Sequence, residues 1–319
     1  MFSELRKRAF IKECAKSIKT KEAYEALFGR SEPFERKFDK DLCQFSVDEL
    51  QKMCDSIFDV RVNTRQNYIY KLNIYLNWAV DNVIYGAVNN LSEIVFDHTL
   101  IVKGRMVGNP TQLALLLDKV FRKVDDYTIE TIYRSVYWLA FCGVDIDAIR
   151  SLTTDNIDLQ DMKIHFNGKS VRLCADAVSS IRLCMELTQL RVYHPNSKNP
   201  DSYTWHDRPD GNILLRGTKE KDGIELLTEN AGRKIRAANK SGKINCNLTY
   251  ETVKLSGLFY RIHENEIAGL APDFHWLAER MSEGKVYKTD TDHSRRAAIN
   301  RVANTYQKDY ESWKNAFYK

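Results

Sequence analysis

Apolar residues recur at steps of three and four along most of this chain, the spacing of helices with one buried face. The first 80 residues read as helices throughout. Lys21 to Phe28 is a short segment that Gly29 is expected to end. Ser46-Val47-Asp48-Glu49 forms a capping box, followed at helical spacing by Leu50, Met53, Cys54, Ile57 and Phe58. A longer helix is predicted from about Asn63 to Val80. Its apolar side includes Tyr68, Ile69, Leu72, Tyr75, Leu76 and Ala79, with Arg65 and Lys71 off that side.

The period then fades. Asp81 to Asn109 holds Gly86, Gly104, Gly108 and several Asn, the composition of a linker, with short structure expected in Ser92 to Ile101. Pro110 suits a first helical turn, ahead of Leu113, Leu116, Leu117 and Val120 on one face. Thr128 to Phe141 is a strongly apolar helix closed by Gly143. Lys163 to Phe166 and Lys169 to Leu173 flank Asn167-Gly168, the strongest short hairpin signal. Helix returns from about Ala175 to Val192, and His194 to Asp210, with its prolines and Trp205, reads as an exposed excursion. Further helices are expected over Thr228–Ala238, Thr249–Glu266, Phe274–Met281 and Asp292–Phe317. The expected fold is mainly α with a small β-sheet, in three parts: a helical domain over 1–85, a linker over 86–109 and a second domain over 110–319.

Composition narrows the function classes. At 319 residues the chain is long enough for two cores, and 43% apolar with 29% charged residues is ordinary for a soluble globular protein. Its longest apolar runs are far short of a membrane span. The N-terminal stretch lacks the apolar core of a signal peptide. Seven cysteines with no CxxC pair point to reduced, mostly buried thiols and a cytoplasmic setting. Seven scattered histidines show neither HExxH nor zinc spacing, and no phosphate-binding glycine pattern occurs, so no metal or cofactor is expected. A net charge of +5 permits an anionic partner without requiring one.

One run changes that picture. Phe141-Cys142-Gly143-Val144-Asp145-Ile146-Asp147-Ala148-Ile149-Arg150-Ser151-Leu152, continuing to Asp158-Leu159, resembles the phage-integrase (tyrosine recombinase) catalytic domain, which reads roughly TGLRxSELxxLxWxDIDL here. The hairpin and the helix beginning at Asp176-Ala177-Val178 follow where that family has its β2–β3 hairpin. The preceding helical domain, with its late Trp78, is similar to the family's SAM-like core-binding domain. The resemblance implies a tyrosine-recombinase architecture, double-stranded DNA as partner, and residence in a bacterial cytoplasm in association with the nucleoid.

The same resemblance implies that strand cutting is lost. In the family a tyrosine attacks a backbone phosphate while arginines, a hairpin lysine and histidines stabilise charge or move protons. Losing one preorganised donor of this kind costs about 10²–10³ in rate. Here the first arginine is replaced by Asp145. The HxLRH motif best matches Val253-Lys254-Leu255-Ser256-Gly257, without its histidines or arginine, and LGH has no clear counterpart. Lys169 matches the hairpin lysine, but it suits phosphate contact or simple solvation equally well. Tyr306, Tyr310 and Tyr318 lie late enough to be the nucleophile. Yet Ile299, Val302, Tyr306, Tyr310, Trp313 and Phe317 form a helical stripe that favours packing, either on its own domain or in a homodimer through this C-terminal helix. Val253 to Arg261 with Glu264 or Glu266 is also similar to the non-catalytic integrase-like repressors of SP-beta-like Bacillus phages, which implies transcriptional repression that maintains lysogeny. An active, divergent recombinase using Tyr306 or Tyr310, with Arg150 or Arg261 on the phosphate, is the alternative.

Duplex binding needs local cationic excess. Arg233, Lys234, Arg236, Lys240, Lys243 and Lys254 face a single acid, Glu251, between Gly232 and Lys254. Arg61, Arg65 and Lys71 flank or lie on the long first-domain helix, where Asn63, Gln66 and Asn67 suit base edges. Lys169 and Arg172 extend the surface through the hairpin. Arg261, three residues from Glu264, suits a structural ion pair instead.

Overall fold

The computed structural model describes residues 2–57, 62–95, 98–121, 128–166, 168–193, 202–207, 224–282 and 292–319. Two compact units divide the chain, Met1–Ile101 and Val102–Lys319. The described residues are mainly helical with two small antiparallel sheets, and none of their helices is long and apolar enough to cross a membrane.

Four helices make the first unit: α1 (Glu4–Cys14), α2 (Ile18–Phe38), α3 (Val47–Ile57) and α4 (Val62–Asp81). Helix α2 does not stop at Gly29. Its inward stripe of Tyr24, Leu27 and Phe28 continues two turns further as Ser31 and Glu35, and the helix ends at Asp39 in the left-handed region. The continuation serves a buried polar network. Glu35 pairs with Lys7 of α1, both fully buried, and also accepts from Ser31 Oγ at 3.1 Å and from the Leu42 amide at 2.9 Å. Burial pushes the Glu35 carboxyl above the usual range, against the pull of Lys7. Beside it, Asp41 accepts from Tyr75 Oη at 2.7 Å and from the Cys43 amide at 3.1 Å. An aromatic cluster of Phe10, Tyr24, Phe28, Tyr75 and Trp78 fills the space between α1, α2 and α4.

The expected linker over 86–109 is mostly packed structure. The Val88 amide donates to Cys43 O, Asn90 Nδ2 donates to Phe45 O, and Gln51 bonds both the amide and the carbonyl of Val95. Leu91 and Ile94 join the first core. At the other end, Val107 lies in the second core and its carbonyl accepts from Trp313 Nε1 at 2.9 Å. Glycine and asparagine here serve turns and backbone caps, not flexibility.

In the second unit the elements run α5 (His98–Lys103, crossing the division), α6 (Pro110–Val120), α7 (Ile129–Phe141) and α8 (Ile146–Arg150). A three-stranded sheet of β1 (Ile157–Asp158), β2 (Lys163–Phe166) and β3 (Lys169–Arg172) follows, then α9 (Ala175–Glu186), β4 (Gln189–Tyr193) and β5 (Tyr203–Asp207). Helices α10 (Ile224–Lys240), α11 (Tyr250–Ile267), α12 (Phe274–Ser282) and α13 (Asp292–Tyr318) complete it. Helix α7 is buried at every position from Thr131 to Phe141 except Arg134 and is therefore central, with α9, α10 and α11 packed on it. The hairpin closes at Phe166 opposite Lys169, with Gly168 at φ +71° as its turn requires. The helix expected to reach Val192 ends at Glu186. Residues 189–193 instead pair with β5, burying Leu190 and setting Arg191 against the rings of Tyr203 and Trp205, each 4.7 Å away. Helix α13 packs its stripe on α11 and α12, within its own unit.

Replacing Lys7 alone with Met should lower stability by about 3–5 kcal/mol, because Glu35 is left buried without its counter-charge. Lys7→Met combined with Glu35→Leu should recover most of that loss. Urea denaturation of the three proteins checks both statements.

A candidate nucleic-acid interface

The geometry around Asp145 begins with the end of α7. Gly143, at φ +84°, donates to Ala140 O at 2.7 Å, and the Val144 amide donates to Leu139 O at 3.0 Å, the bond pattern of a Schellman cap. That turn delivers Asp145 to the N-cap of α8, where its side chain makes no capping bond. Its carboxylate goes instead to Lys254 of α11, forming an ion pair. A capping box at Thr249 starts α11, so Tyr250 and Lys254 lie one turn apart on one face. Tyr250 Oη donates to Val144 O at 2.7 Å, and Lys254 reaches the next residue. Lys254 is buried, at 3% exposure, so it does not contribute to a DNA surface as its charge suggested.

The rest of the HxLRH counterpart is equally occupied. Ser256 is buried, donating to Thr252 O at 2.7 Å and accepting from the Val107 amide at 3.2 Å. Gly257 lies where α11 crosses the end of α7; a Cβ there would meet Phe141 O at 1.7 Å. No histidine fits at that point. Arg261 does not pair with Glu264. Its Nη2 donates to Cys142 O at 2.6 Å and to Arg172 O at 2.7 Å, tying α11 to the end of α7 and to β3. Arg280 adds a bond to Gly143 O at 3.4 Å and lies over the Phe166 ring. Sequence spacing carries no trace of Arg280's role, since its partners are more than a hundred residues away.

Both candidate tyrosines in the apolar stripe are buried, Tyr306 at 7% and Tyr310 at 3% exposure. Tyr310 Oη donates to Glu266 Oε2 at 2.6 Å, and burial together with that carboxylate pushes its phenol well above the ordinary value. A phenol so held is a poor nucleophile. Tyr318 Oη donates to Gly108 O at 2.7 Å. The side chain of Arg150 lies outside the described residues.

The cations that do reach solvent are fewer than expected. On α10, Leu227, Ala231, Ile235 and Ala238 are buried, leaving Arg233, Lys234, Arg236 and Lys240 exposed, with Lys243 exposed just beyond. Arg233, Arg236 and Lys240 follow steps of three and four along one face. Arg233 pairs with Glu229 at 2.6 Å and Lys234 with Glu130. Arg172 is exposed and Lys169 partly so. In the first unit, Lys71 is partly exposed and donates to Asn67 Oδ1 at 3.3 Å, with Gln66 and Asn67 exposed beside it. Arg65 is fully buried and is not a surface cation. It shares the stripe of Tyr68, Ile69 and Leu72 at steps of three, four and seven, the inward side of α4, and its charge acts on Cys54. Arg61 lies outside the described residues, as does the side chain of Asn63. No group of His, Cys, Asp and Glu among the described residues is arranged to hold a metal.

Comparison with known proteins adds to this picture. Residues 1–81 match the family described as MrpR, N-terminal core-binding domain. No curated protein matches the chain. Among solved structures, XerA recombinase aligns with 93% of this chain and 96% of its own, at 11% identity and a TM-score of 0.37. The Tn1549 transposon integrase in complex with transposon right end DNA aligns with 94% of this chain and 98% of its own, at 14% identity and a TM-score of 0.35. The same integrase in complex with a circular intermediate DNA aligns over 93% and 98%, at 14% identity and a TM-score of 0.35.

Asp145→Ala should destabilise the second unit by about 3 kcal/mol, since it strands a buried ammonium. Lys254→Met should cost markedly less, because Asp145 is 30% exposed and water can solvate its carboxylate. Urea midpoints rank the two variants, and the reverse order would contradict the burial argument.

Proposed function

We propose that this protein binds specific double-stranded DNA on a tyrosine-recombinase architecture without cutting it, and acts as a transcriptional repressor of phage or prophage origin that maintains lysogeny. The observation that carries the reading is the Asp145–Lys254 pair. At the position matching the family's first arginine stands a carboxylate, already neutralised by an internal lysine. A phosphate brought there would meet an anion in place of a guanidinium. Ser256 and Gly257, at the positions matching the second arginine and histidine, are committed to helix packing. The core-binding match over residues 1–81 and the transposon-end DNA held by the Tn1549 integrase agree with DNA as the partner.

Contact with the duplex is assigned to the exposed cations of α10 (Arg233, Lys234, Arg236, Lys240) with Lys243, to Lys169 and Arg172 of the hairpin, and to Lys71 with Gln66 and Asn67 on α4. The cations supply phosphate contacts and the amides base edges. Helix α13 packs its stripe within its own unit, and sedimentation across a concentration range tests for a homodimer through that helix.

A nicked suicide substrate carrying the selected site should give no covalent protein–DNA product, and any such product overturns the non-catalytic reading. Specific affinity should lie at about 10⁻⁸–10⁻¹¹ M at physiological salt. Replacing Arg233, Lys234 and Arg236 with Ala should weaken binding and make the slope of log K against log salt shallower by about 2–3. Fluorescence anisotropy across a salt series measures both, and unchanged binding removes α10 from the interface.

A further inference from the structure

A cleft of about 750 Å³ opens in the second unit between the end of α7, strand β3, the C-terminal half of α11 and the turn into α12. That volume is in the range that small organic ligands occupy. The duplex contacts assigned above share only Arg172 with it. We propose that the cleft binds a small amphiphilic monocarboxylate, held by its carboxylate on Arg261 and by its apolar body against Phe141, Ile262 and Trp276.

The cation in this cleft is fixed in place but not neutralised. Arg261 is partly buried, and its Nη2 donates to Cys142 O at 2.6 Å and to Arg172 O at 2.7 Å. Both acceptors are neutral, so they hold the side chain without cancelling its charge. Among the described residues no carboxylate lies within ion-pairing distance of this guanidinium. A charge drawn part-way out of water is stabilised by a counter-ion, and the planar guanidinium fork matches a carboxylate. Because the two carbonyls already immobilise Arg261, a ligand need not pay that entropy on binding.

The rest of the lining selects the body of the ligand and its charge. Phe141, Leu173 and Ile262 are buried and make the inner wall apolar, while Trp276 is 40% exposed and stands nearer the mouth. Such a wall suits a short alkyl chain or a single aromatic ring. Glu264 and Asp273 lie exposed on the same lining, and Asp273 Oδ1 accepts from the Trp276 amide at 2.8 Å at the start of α12. These two acids oppose the second charge of a phosphate monoester, whereas one carboxylate only balances Arg261.

The test uses the full chain without DNA, so its outcome is separate from that of the function proposed above. Octanoate, phenylbutyrate and indoleacetate are titrated by calorimetry, each beside its neutral amide, with phenyl phosphate as the dianion. At least one acid should bind saturably at one site, about tenfold more tightly than its amide, which lacks the charged partner. Phenyl phosphate should bind more weakly than that acid, and hydrogen exchange with the acid bound should show protection within residues 257–276. In Arg261→Gln the acid and its amide should bind alike. Ala271→Trp, which fills the exposed mouth away from the Arg261 bonds, should bind neither. Saturable binding by none of the acids, equal affinity for acid and amide in wild type, tighter binding of phenyl phosphate, or protection elsewhere overturns the proposal. The wild-type titrations and exchange map decide even where a variant fails to fold.

Discussion

The closest constraint in the second unit is the crossing of α11 over the end of α7. At Gly257 the two helices approach until no Cβ fits, and that approach sets what else the region can hold. It brings Tyr250 and Lys254 against the turn at Val144 and Asp145, and Arg261 against the carbonyls of Cys142 and Arg172. The Schellman turn at Gly143 supplies the matching geometry on α7. Each of these contacts satisfies a backbone or charged group that the crossing buries, as low-dielectric packing demands. A wider crossing would release all of them together.

Charge is partitioned in the same manner in both units. Lys7, Arg65 and Lys254 are buried and serve packing, with Lys7 and Lys254 held in ion pairs. The cations of α10 and of the hairpin's outer side remain in water. Of the basic residues that the sequence placed on one surface, Arg65 and Lys254 are thereby withdrawn from solvent, while the others on α10 and the hairpin are not.

Much of this was legible in the chain. Periodicity located most helices, Asn167-Gly168 located the hairpin, and the vacancies at Asp145 and at Val253 to Gly257 were visible as residue types. Three things were not. Gly29 appeared as a stop because a local reading cannot see Lys7 waiting for Glu35 nearly two turns further on. Residues 189–193 appeared helical because their partner strand, β5, begins only at Tyr203, further along the sequence than a local period can reach. Arg65 and Lys254 appeared exposed because composition reports charge but not its counter-charge or its side of the helix. In each case the deciding partner was distant in sequence.

The anchorage of the hairpin has a separate consequence. Arg261 grips β3 by the carbonyl of Arg172, not by its side chain, and the guanidinium of Arg172 remains in solvent. Every amino acid has that carbonyl. The strand therefore keeps its anchor whichever side chain other than proline occupies position 172, and the outward-facing chemistry of the hairpin can drift without disturbing the frame beneath it. A surface mounted in this way can change its chemistry by single substitutions while its fold stays constant.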